Sequence, residues 1–123
     1  MARARDRNQP AIKEEAVQVE GSVRSVLYLY PKNGDYASIA EFMRTERVLE
    51  LSRENGGFLG GSYNVPTSGQ GPMLVLAAWR EEADYRRWVA SPVRAAMTPK
   101  LLALVEREPV AGETYSIARE LPA

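Results

Sequence analysis

"MLVLAAWREEADYRRWVASPVRAAM", Met73 to Met97, changes its character at Trp79. Met73–Trp79 is an unbroken apolar run. It does not alternate with polar residues, so it reads as a strand buried on both faces. The charged stretch 81–91 then sets Tyr85 and Trp88 three apart, on one face of a short helix. Pro92 opens a second helical piece, "VRAAMTPKLLALVER" (93–107), because the first turn of a helix needs no N–H from that residue. Pro99 is expected to bend or restart that piece. Both tryptophans of the chain fall inside this one stretch.

Working outward, "PTSGQGP" (66–72) is a turn-rich connection. "FLGGSYNV" (58–65) reads as a strand, with Gly60 and Gly61 marking a bulge or a close backbone approach. "NGG" (55–57) stops a helix running from Tyr36 to about Asn55, whose apolar residues Ile39, Ala40, Phe42, Met43, Val48, Leu49 and Leu51 recur at mostly helical spacing. Asp35 can cap it. "VRSVLYLY" (23–30) is β-branched and aromatic, a strand closed by "PKNGD". Beyond the helices, "EPVAG" turns the chain into a last strand, "ETYSIARE" (113–120).

The order β-α-β-β-α-β predicts an α+β, ferredoxin-like sandwich: a four-stranded antiparallel sheet with helices on one face. The doubly apolar third strand then needs cover on the other face. A second copy of the sheet supplies it, giving a homodimer, a dimeric α+β barrel. Leu27 and Leu29 share one face of the first strand, expected to meet the helices. Tyr28 and Tyr30 share the other, expected at the dimer interface. Residues 1–22 are polar and mixed in charge, and read as a flexible N-terminal arm; the alternative is an arm packed on a partner subunit. The domain is 23–120.

The 123 residues carry 16 basic and 16 acidic side chains, a net charge of zero. That balance argues against nucleic acid or an anionic membrane as partner. No Cys and no His are present. Disulfides, thiolate nucleophiles, Cys or His metal ligation and a histidine base are therefore all excluded. Chemistry must come from carboxylates, Tyr, Arg, Lys, water or the substrate itself, with no cofactor expected. The N-terminus lacks a signal-peptide core, and 73–79 is too short to span a bilayer, so a cytoplasmic protein is expected.

Trp79 at a strand end and Tyr85 and Trp88 on the next helix can converge on one aromatic-walled space; the alternative is simple core packing. Arg80, Arg86, Arg87 and Arg94 surround that space in sequence; a nearby Arg could hold an enolate, and Arg94 is a substrate-binding candidate. Glu81, Glu82 and Asp84 read as solvated helix residues. Asn64 is a candidate amide, with a strand-end turn as its alternative role.

"NGGFLGGSYN" (55–64) and "PMLVLAAWREEADYRRWVASPVRAA" (72–96) together resemble the antibiotic biosynthesis monooxygenase family. The shared pattern is a Gly-Phe before the second strand, an apolar third strand ending in Trp, then an E-x-A-x-Y/F-x-x-W-x-x-S-P helix. The resemblance covers roughly 23–120 and implies a dimeric α+β barrel. For the anthrone oxygenases of the family, it implies that Trp79 and Tyr85 stand where pocket residues are, with Val75 in place of an Asn. That family's pocket Arg falls near Pro99 and Lys100. For the haem-degrading branch, Trp88 matches the pocket Trp, whereas Thr98 replaces the His and Leu27 the Asn. Without any His, haem-iron ligation in that manner is impossible. The implied activity is cofactor-independent oxygenation of an aromatic polyketide-like molecule by O2. Trp79 and Tyr85 would be catalytic, and Leu27, Leu29, Asn64, Val75, Trp88 and Arg94 would bind substrate. The alternatives are a non-catalytic binding protein and a non-oxidative cyclase or isomerase on the same fold.

Overall fold

A computed structural model of the chain describes residues 22–109 and 112–123. The expected N-terminal arm lies outside the described residues except for Ser22, which is buried. The elements are β1 (Val23–Leu29), α1 (Tyr36–Thr45), α2 (Val48–Glu54), β2 (Phe58–Asn64), β3 (Met73–Trp79), α3 (Glu82–Val89), α4 (Pro92–Leu102) and β4 (Glu113–Ser116). The sheet order is β2-β3-β1-β4, with every neighbouring pair antiparallel. This is the expected ferredoxin-like arrangement.

Three elements differ from the sequence reading, each for a physical reason. The single helix expected over Tyr36–Asn55 is two, broken at Arg47, whose φ of 54° is left-handed. An unbroken helix carrying Ile39, Phe42 and Met43 inward would carry Glu46 and Glu50 inward too. The break shifts the phase, so that Ser52 is buried and Val48 and Leu51 pack on the core. The last strand ends at Ser116 rather than residue 120, because its partner β1 begins at Val23, opposite Ser116. Pro99 lies within α4 without ending it; it is exposed, so water can replace the missing donor. α4 also ends at Leu102, short of the expected residue 107, where the chain turns to bridge Pro31 through Val105. Asp35 caps α1, its carboxylate accepting from the Ser38 N–H at 3.1 Å. The β2–β3 register slips between Phe58 and Gly60, and a Cβ on Gly61 would come within 2.9 Å of the Leu76 carbonyl oxygen.

Sheet register decides what faces the helices. Leu27 pairs with Val75, Ser25 with Ala77, Val23 with Trp79 and Leu29 with Met73. Leu29, Met73, Ala77 and Trp79 from these pairs are buried against Ile39, Phe42, Met43, Tyr85, Trp88 and Met97. The opposite face carries Val26, Tyr28, Leu74, Leu76 and Ala78, which no helix among the described residues covers. Burial of β3 on both faces is therefore met on one face only within a single chain. Among the described residues no helix is long and apolar enough to cross a membrane.

Beyond β1, the chain is tied to the segment after α4. Pro31 bridges Val105, the Lys32 N–H donates to the Leu104 carbonyl at 3.0 Å, and the Glu106 N–H to the Tyr30 carbonyl at 2.8 Å. The Arg107 guanidinium lies 3.9 Å from the centre of the Tyr30 ring. These contacts carry Glu108 and Pro109 over the end of the helical layer, to the rim of a cavity.

Candidate active site

A cavity of about 270 Å³ lies between the sheet and the helices. Its floor is the inward face of the two central strands: Ser25, Leu27 and Leu29 from β1, and Val75, Ala77 and Trp79 from β3. Phe58 of β2 stands opposite Trp79 in the β2–β3 pairing and closes one end. The roof is Phe42 and Met43 of α1, Val48, Leu49 and Ser52 of α2, Tyr85 and Trp88 of α3, and Arg94, Met97, Thr98, Leu101 and Leu102 of α4. Glu108 and Pro109 complete the rim.

Trp79 is 1% exposed, and its orientation is fixed three ways. The indole N–H donates to Ser25 Oγ at 3.0 Å. The Phe58 ring meets it edge-on, with centroids 5.3 Å apart. The Tyr85 ring is tilted against it at 5.7 Å. Such pairs add to plain area burial because ring edges and faces carry opposite partial charge. Tyr85 and Trp88 are also buried, and helical spacing turns both toward the sheet. The three rings border a hollow and do not fill it. The Tyr85 hydroxyl lies at the sheet edge, where a Cβ on Gly112 would stand 2.3 Å from it. Gly112 is therefore the residue that leaves the hydroxyl its space.

Of the other residues expected at the site, Leu27, Leu29, Val75, Trp88 and Arg94 line the cavity. Asn64 does not. It pairs with Leu74, so it points to the opposite side of the sheet, and its Nδ2 donates to Ser62 Oγ and the Leu74 carbonyl. The amide expected in the pocket is thus a strand-end residue bonded to the sheet. Its neighbour Tyr63 takes the cavity-side face and packs on the core.

The charged residues sort by partner. Arg86 pairs with Glu82 at 2.8 Å and Arg87 with Asp84. Lys100 pairs with Glu46 at 2.9 Å, and Arg80 is exposed. None of these lines the cavity. Asp84, expected to be solvated, is buried, 6% exposed, against Gly57. There φ is +77° and the missing Cβ leaves room for the carboxylate. This contact joins α3 to the start of β2. Glu81 and Glu82 are exposed, as expected. Hydrogen bonds from Arg86 first, then from Thr114, hold the Glu82 carboxyl below the usual glutamate range.

Sequence reasoning missed Ser25, Phe58 and Glu108. Alternation along β1 already places Ser25 on the face of Leu27 and Leu29. Phe58 follows from its position across from Trp79 once strand order is known. Glu108 has no local signal: bonds to Tyr30 and Lys32, far back in sequence, put its segment there.

No protein-family model matches the sequence, and no curated protein matches it. Solved structures do match. A variant of SnoaB, a cofactor-independent oxygenase from Streptomyces nogalater, superposes with a TM-score of 0.68 at 16% identity, over 84% of this chain and 99% of that one. A Bordetella bronchiseptica protein provisionally named an antibiotic biosynthesis monooxygenase gives 0.69 at 10%, over 80% and 99%. A conserved protein from Methanosarcina mazei gives 0.66 at 18%, over 81% and 96%. At these identities what is shared is the backbone plan, and the chain has the α+β ferredoxin-like fold of these proteins.

Proposed function

We propose that the chain is a cofactor-independent monooxygenase of the antibiotic biosynthesis monooxygenase family, a cytoplasmic homodimer acting on a small aromatic polyketide-like molecule and O2. The observation that carries this reading is the cavity walled by Trp79, Tyr85 and Trp88. Its floor is apolar apart from Ser25, and that hydroxyl is already engaged by Trp79. Such a wall suits a flat aromatic guest and excludes water. The fold shared with SnoaB supports the same reading.

The chemistry asks little of the protein. An anthrone-type methylene loses a proton to give a stabilised carbanion, which passes one electron to O2. The resulting radical and superoxide join as a peroxide, and loss of water leaves a carbonyl. In sum, CH2 and O2 become C=O and H2O. The cavity supplies orientation and dryness. Arg94 supplies a permanent cation that balances a substrate anion at the rim. Glu108 is the one carboxylate lining the cavity among the described residues, and it is the candidate proton acceptor. The sheet face that no helix among the described residues covers, with Val26, Tyr28, Leu74 and Leu76, supports the dimer.

The test is oxygen uptake by purified protein given an anthrone or the smaller 1-naphthol, with no added flavin or metal. Turnover above background that falls at least tenfold in Trp79→Phe is expected. No turnover, or a rate that ignores Trp79, ends this reading. A second reading, a non-catalytic binding protein, is favoured by Leu27 and Val75, which make the floor apolar where a polarising amide is absent. Tight ligand capture without oxygen consumption would select it.

A further inference from the structure

Arg94 sits where, among the described residues, a cation has no carboxylate partner. It shares the inward stripe of α4 with Met97, Thr98 and Leu101, residues three, four and seven further on, and it lines the cavity half-buried. An apolar side chain is the ordinary occupant of such a stripe. Among the described residues no carboxylate oxygen lies within 4.0 Å of its guanidinium, although seven other Lys or Arg residues have one. Arg94 also stands in the first turn of α4, which carries no acidic residue. The positive end of the helix dipole disfavours a cation there. One event relieves all three conditions: arrival of an anion at the cavity rim. The cavity itself, at about 270 Å³, falls just below the usual range of roughly 300–1,000 Å³ for ligand pockets, which suits one or two fused rings better than four.

We propose that the site selects a mono- or bicyclic aromatic acid, with its rings against Trp79 and Trp88 and its carboxylate on Arg94. This deepens the reading above and rests on it for the cavity being a substrate site. A planar guanidinium takes a carboxylate through two parallel N–H donors, a geometry that Lys does not reproduce. Glu108 on the rim opposes an anion. It is exposed and screened by water, so it weakens the preference without reversing it.

The experiment is calorimetric titration of the full chain with 2-naphthoate and with 2-naphthamide, its uncharged isostere. The wild type should take the acid at least about tenfold more tightly. Arg94→Gln should erase that preference by weakening acid binding, without lowering the melting temperature. Arg94→Lys should restore part of it, and Glu108→Gln should enlarge it. Equal affinity for acid and amide in the wild type, or a preference that survives Arg94→Gln, overturns the proposal and leaves the cavity reading standing. Absence of binding by either compound overturns both.

Discussion

Replacing Ser25 by Ala removes one oxygen from the cavity floor and leaves the Trp79 indole N–H without its acceptor. The bond is 3.0 Å long, and both residues are buried, at 6% and 1% exposure. A buried donor stripped of its partner costs about 1–3 kcal/mol. The position within that range follows from the surroundings. Ser25 and Trp79 both border the cavity, so a water can enter beside the new methyl and accept from the indole. The expected loss is therefore at the low end, about 1 kcal/mol. With a urea slope near 2 kcal/mol per molar, the unfolding midpoint should fall by about half a molar. Trp79→Phe removes the donor and leaves Ser25 free to rotate toward water. In the double variant the serine loss should largely vanish, giving a coupling of roughly 0.5–1.5 kcal/mol. Urea unfolding followed by far-ultraviolet circular dichroism measures all four proteins without relying on tryptophan emission. A Ser25→Ala midpoint equal to wild type, or strict additivity of the two changes, would refute the claim that this bond holds the indole in place.

Three further outcomes are expected. Gly112→Ala should destabilise by about 1–3 kcal/mol, because its Cβ would stand 2.3 Å from the Tyr85 hydroxyl; in a Tyr85→Phe background most of that loss should disappear in the same unfolding assay. The Ser38 hydroxyl, and secondarily its N–H, hold the Asp35 carboxyl below the usual aspartate range. A depressed carboxylate pKa gives stability above its unfolded value and loses it as pH falls through the folded one. The melting temperature of wild type should accordingly fall toward that of Asp35→Asn between about pH 5 and pH 2, and a constant gap between the two would count against the cap. Leu76→Lys, on the sheet face that no described helix covers, should halve the mass measured by light scattering while leaving 2-naphthoate binding intact, and an unchanged mass would remove this face as the dimer interface.

Strand boundaries were legible where the pattern was long and the punctuation strong. Met73–Trp79 is bounded by Gly-Pro and by Arg80, and the observed strand has those ends. The bulge at Phe58–Gly60 and the cap at Asp35 followed from residue chemistry alone. The break at Arg47 was hidden because Val48 and Leu51 look helical from either side; only their phase against Ile39 and Phe42, with Glu46 and Glu50 as the inward alternatives, reveals it. At the site, period-2 and helical spacing placed Leu27, Leu29, Tyr85 and Trp88 on the cavity side, and the family resemblance pointed to Val75. The same alternation decides between Tyr63 and Asn64, but only when anchored to the register of β3, which is a long-range fact. Asp84 read as solvated because its cover, Gly57, is a glycine 27 residues earlier whose missing side chain makes the room.

The distribution of polar groups around the cavity constrains what chemistry it can perform. Ser25 Oγ is taken by Trp79, and Ser52 Oγ donates to the Val48 carbonyl at 2.8 Å. The Tyr85 hydroxyl lies toward Gly112, at the sheet edge. The inner wall thus offers a guest shape and ring faces, while charge is confined to Arg94 and Glu108 at the rim. A reaction needing a buried base or an internal oxyanion donor has no group to supply it among the described residues. A reaction whose substrate is itself acidic and electron-rich needs only to be held, kept dry and charge-balanced at one end. It is therefore the rim that must distinguish one aromatic molecule from another. Substitutions at Arg94 should change which substrate enters, whereas substitutions at Trp79 should change how well any substrate is held.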